Sequence, residues 1–106
     1  MPKFLIKASY SSDGMKGLQK DMASGRQKSM VAACAAMGGS LDAVYFALGE
    51  DDVLVIVDMP SAKQVAALCV AVGASGLVST RTVPLLTVAE MDEALSAKVA
   101  YRPPGG

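Results

Sequence analysis

The stretch SLDAVYFALGEDDVLVIV, residues 40–57, places two apolar runs on either side of a polar turn. In the first run Val44, Phe46 and Leu48 share one face, and Ala43, Tyr45 and Ala47 share the other. That is the two-residue period of a β-strand, spanning Ser40 to Leu48. Gly49, Glu50, Asp51 and Asp52 are turn formers, and Val53 to Val57 resumes with β-branched residues. Two strands around a short polar turn predict an antiparallel hairpin. A lone hairpin is at best marginally stable in water, so the flanking sequence must cover it.

Upstream, Lys3 to Tyr10 alternates in the same way, with Phe4, Ile6, Ala8 and Tyr10 on one face and Leu5, Lys7 and Ser9 on the other. Ser11, Ser12, Asp13 and Gly14 end this strand and offer a helix N-cap. A short helical segment is expected over Met15 to Lys20, with Gly25 weakening the join to a longer helix. That second helix starts at about Ala23 or Arg26 and runs to Met37. Its stripe is Met30, Val31, Cys34 and Met37, with Arg26, Gln27 and Lys28 expected toward solvent. Gly38 and Gly39 stop it.

Downstream, Asp58, Met59 and Pro60 close the hairpin and Ser61 caps a further helix. Val65, Leu68, Cys69 and Val72 form its main stripe, and Ala66, Ala67, Val70 and Ala71 make its other side apolar too. Such a helix is expected to be buried on more than one side. Gly73, Ser75 and Gly76 break it, and Leu77 to Leu85 reads as a fourth strand whose Pro84 suits a sheet edge. Thr87 to Glu90 is a capping box opening a short helix with Val88, Met91 and Leu95 on one side.

The order is β-α-β-β-α-β with an added helix. Right-handed crossovers around a hairpin predict an α+β, ferredoxin-like domain with a four-stranded antiparallel sheet and two helices on one face. The other face, with Leu5, Lys7, Tyr45 and Ala47, is left bare and is too apolar to be fully wet. The domain is expected over residues 1–98, with 99–106 as a flexible tail.

Composition narrows the function classes. Lysine plus arginine and aspartate plus glutamate balance at 10 each, so no nucleic-acid partner is expected. Hydrophobic residues make up 52% and charged ones 19%, an apolar excess for which a subunit interface is the simplest outlet. The longest charge-free run, Gln64 to Thr80, is interrupted by glycines and is too short to span a bilayer, so no membrane partner is expected. No secretory leader is read at the start, which points to the cytoplasm. Cys34 and Cys69 stand on apolar stripes as free thiols, and the absence of histidine argues against a Cys/His metal centre.

Several stretches together resemble the GYD domain proteins. They are residues 3–10, Gly38-Gly39, Tyr45 to Gly49 followed by Asp52, Val72 to Gly76, and Thr80 to Thr82 followed by Pro84 to Thr87. The resemblance runs from about residue 2 to residue 95. It implies a ferredoxin-like fold of the dimeric α/β-barrel type, whose wider superfamily includes small oxygenases, isomerase-like enzymes and ligand-sensing domains. Gly49 and Asp52 match the eponymous motif, but Asp51 takes the tyrosine's place, which puts any role of that tyrosine in question here.

The chemistry-bearing residues are few. Lys7, Tyr45 and Arg81 are expected on or near the bare face, with Asp58 at its edge. Arginine offers a planar fork to a carboxylate, and tyrosine can donate or accept a proton. These four are the candidate ligand-binding residues, set against the plainer reading that they line a subunit interface. Glu50, Asp51 and Asp52 read as a solvated turn rather than a cation site, and no metal or cofactor is expected. The leading expectation is a homo-oligomer that binds a small ligand at or near the sheet-face interface. The alternative is a cofactor-independent enzyme acting on a small aromatic or dicarbonyl substrate.

Overall fold

The computed structural model describes residues 1–106. Strand β1 covers Lys3–Tyr10, helix α1 Ser12–Ala36, β2 Ser40–Phe46, β3 Val53–Asp58, α2 Ala62–Ala74, β4 Val78–Leu85 and α3 Val88–Ser96. The strands form one antiparallel sheet in the order β2-β3-β1-β4. This is the ferredoxin-like α+β arrangement that the alternation and the hairpin predict.

Alternation places Phe4, Ile6 and Ala8 of β1 and Val53, Val55 and Val57 of β3 on one face, and all six are buried. Cys34 of α1, Val65 of α2 and Met59 after β3 complete this core. Both central strands therefore contribute every second residue to it, while the edge strands β2 and β4 contribute none that is fully buried. Pro84 lies in edge strand β4, where the missing N–H removes no central ladder bond.

Three features differ from the sequence expectation. The helix expected in two pieces runs from Ser12 to Ala36, and its single break lies at Met22, with φ 63° and ψ 166°, rather than at Gly25. Only Val65 of α2 is buried and Val70 is 71% exposed, so in the single chain this helix is covered along one stripe. The caps fall as expected. Ser11 accepts from the Gly14 N–H, Ser61 from that of Lys63, and Thr87 and Glu90 complete a capping box. The hairpin turn is longer than four residues, closing with the Ala47 N–H donating to the Asp52 carbonyl.

Gly14 fixes how α1 meets the sheet. A Cβ there would lie 2.1 Å from the Leu77 carbonyl oxygen, so only glycine lets the first helical turn approach β4 this closely. The Ser11 N–H donates to that same carbonyl at 2.8 Å.

The chain then leaves the body. Every residue from Leu86 to Gly106 is exposed, including Val88 at 83% and Leu95 at 70%. The radius of gyration is 16.9 Å, against about 13 Å for a compact chain of this length. The projecting arm accounts for the long axis of 57 Å.

Candidate functional site

Register decides which side chains stand together on the open face. Tyr45 pairs with Leu54, Leu54 with Lys7, and Lys7 with Arg81, so these four form one row across all four strands. Directly paired residues on one face have Cβ atoms about 5 Å apart. The next row in the same direction is Ala43, Ile56, Leu5 and Val83, and the third is Ser40, Asp58, Lys3 and Leu85. An apolar middle row is thus bounded by two rows that carry charge.

Of the four candidates predicted from sequence, only Lys7 and Arg81 are direct neighbours; Leu54 separates Tyr45 from Lys7, and Tyr45 stands three strand spacings, about 14 Å, from Arg81. Lys7, Tyr45 and Arg81 share the upper row. Asp58 shares their face but pairs with Lys3, four residues and about 13 Å along β1 from Lys7.

The two charged rows are electrically different. In the lower one, Lys3 Nζ donates to both oxygens of Asp58 at 3.0 Å and also to Asp42. Asp42 reaches it because the register shifts between Leu41 and Ala43, freeing the residue between them from regular pairing. The Lys3 ammonium holds the Asp42 carboxyl below its ordinary value, chiefly through that hydrogen bond, and the two carboxylates raise the Lys3 pKa in return. In the upper row, two cations stand side by side. Arg81 is neutralised by Asp51 of the hairpin turn, whose oxygens it meets at 2.8 and 3.0 Å. These hydrogen bonds raise the Arg81 pKa further. Lys7 is in no salt bridge.

The acidic turn is accordingly structural. Asp51 holds Arg81, and Asp52 accepts from the Tyr10 backbone N–H at 2.8 Å while donating its own N–H to the Ala8 carbonyl. Aspartate in the place of the motif tyrosine gains an ion pair to β4, a contact visible only once the register is known.

The covered face holds what the sequence reading missed. Between α1, α2 and the sheet lies an apolar cavity of about 110 Å³, adjoined by a second of about 280 Å³. Cys34 and Cys69, both free, border the first. Arg26 borders both cavities, and its Nε is buried without a hydrogen-bond partner. It was expected toward solvent. Its spacing from Met30 and Cys34, four and eight residues on, was the signal that it shares their face.

The family comparison agrees with this architecture. Neither the curated proteins nor the solved structures gave a match to the chain. A GYD domain model matches residues 4–95, which takes in all seven elements except the first residue of β1 and the last of α3. The chain belongs to the GYD domain family.

Proposed function

We propose that this GYD domain works as a homo-oligomer, two copies meeting through the open faces of their sheets, with a small anionic ligand held where Lys7, Tyr45 and Arg81 face the partner. The observation that carries this reading is the apolar row Ala43, Ile56, Leu5 and Val83 lying open between two charged rows. Interfaces between subunits have that anatomy, an apolar centre inside a polar rim. In the upper row Asp51 pairs with Arg81, with Glu50 of the same turn also acting on it, and Lys7 is in no salt bridge, a cation that an anionic group on the ligand would offset. Asp58, already held by Lys3, would serve the rim of the contact. The projecting arm adds support, because a nine-residue helix is too short to persist alone in water and its Val88, Met91 and Leu95 find no cover in their own chain. Free thiols at Cys34 and Cys69 fit a reducing, cytoplasmic setting.

Native mass spectrometry tests this directly. The wild-type chain is expected at a multiple of 10.9 kDa, and Ile56→Asp at 10.9 kDa with an unchanged circular dichroism spectrum. A wild-type monomer, or an Ile56→Asp variant that keeps the wild-type mass, would sink the reading.

A further inference from the structure

We infer that the cleft between α1 and α2, on the covered side of the sheet, is a binding site for a small amphipathic anion, an aromatic or short alkyl body ending in a carboxylate. It lies across the sheet from the self-association face and does not depend on it.

The cleft exists because the helices settle over different strands. Helix α1 packs mainly on β2 and more lightly on β1, whereas α2 packs on β4. The space between them has small side chains on opposite walls, Ala8 on β1 and Ala33 on α1. An apolar cavity of about 150 Å³ can hold benzene, so the inner chamber of about 110 Å³ suits a body of roughly that size or a little less. With the outer chamber of about 280 Å³ the whole reaches the range of ligand sites.

The chemistry at the junction selects the charge. Tyr10, Arg26, Val72 and Val78 border both chambers. Arg26 is the sole cation among them, and its Nε–H is buried with nothing to donate to. Its nearest carboxylate is Asp21, at 3.9 Å from Nη1 and so outside hydrogen-bond range. Buried donors without partners are uncommon in native proteins. Nε itself is closed to a water-sized group, but the side chain is 31% exposed, so a ligand carboxylate at the junction would accept end-on from the two Nη–H groups of the guanidinium. Asp21 also borders the outer chamber, which disfavours an anion further out and leaves the junction as its place. The apolar body then points inward, toward Val55, Leu68 and Cys69.

The test uses the full chain with phenylacetate, 2-phenylethanol and 2-phenylethylamine as isosteric anionic, neutral and cationic probes, followed by calorimetry and amide chemical shifts. Phenylacetate is expected to bind best, with saturable shifts at Tyr10, Ala33 and Cys69. Arg26→Gln should weaken phenylacetate at least tenfold while leaving 2-phenylethanol unchanged. Arg26→Lys, which keeps the charge but loses the planar fork, should fall between. Ala33→Phe should abolish binding of every probe while the chain melts no lower than wild type, which guards against loss of fold as the cause. Absence of saturable binding, equal phenylacetate affinity in Arg26→Gln, or shifts confined to Leu5, Ile56 and Val83 would overturn the assignment. So would binding that appears only in Met91→Asp, because the arm of another copy would then be the natural occupant.

Discussion

The two faces of the sheet are built from alternate residues of the same strands, yet they have opposite fates. Phe4, Ile6 and Ala8 are buried, while Leu5 and Lys7 between them are half-exposed. On β3, Val53, Val55 and Val57 are buried, while Leu54 and Ile56 are not. Leucine and isoleucine are as apolar as the residues they alternate with. Hydropathy therefore does not separate the faces, and the position of the two helices does. The face with helices forms the monomer's core; the face without them keeps the raw material of an interface.

The sharpest way to break this comparison is at adjacent positions. Phe4→Ala should cost about 3–5 kcal/mol of folding stability, as expected for emptying a buried aromatic site. Leu5→Ala, one residue away, should change the stability of the dilute chain by less than about 1 kcal/mol while weakening association. Urea unfolding at two protein concentrations measures both. Equal losses at low concentration would show that the open face is part of the monomer's own core.

A smaller effect is expected on the arm. Met91→Asp should weaken association less than Ile56→Asp does, since α3 offers a narrow stripe and the sheet a whole face. Sedimentation of the two variants side by side decides the order. A larger loss from Met91→Asp would make the arm, not the sheet, the principal contact.

The smallest effect lies at the rim. Asp42 titrates in the folded chain below its ordinary value of 3.8, chiefly because Lys3 hydrogen-bonds to it. The lowered folded-state pKa means that this contact stabilises fully above that ordinary value. The contribution fades as pH falls through the lower value, where the unfolded chain already holds the proton. Both groups are exposed, so the effect is modest and screened by salt. The urea midpoint followed downward from about pH 4 should fall less steeply for Asp42→Asn than for wild type. Identical acid slopes would remove Asp42 from the linkage.

Much of this was legible before any coordinates. Strand alternation, the polar hairpin turn, the Ser11, Ser61 and Thr87 caps and the Gly38-Gly39 stop are local signals, and each marks an element that the fold contains. The ferredoxin-like order followed from them, because few topologies satisfy right-handed crossovers around a hairpin. The placement of Lys7 and Tyr45 on the open face was equally local. The break in α1 was not, since Met22 carries no turn signature and Gly25 does.

The sequence by itself thus determined the elements, their order and the two faces of every strand, since all of these rest on interactions within a few residues. Tertiary structure alone decided which charges meet. Register set Arg81 beside Lys7 and brought Asp51 to it, the irregularity at Asp42 delivered a second carboxylate to Lys3, and the seating of α1 and α2 over different strands opened the cleft beside Arg26. Those juxtapositions join residues as far apart as Lys7 and Arg81, 74 positions along the chain, and no periodicity within a single element encodes them.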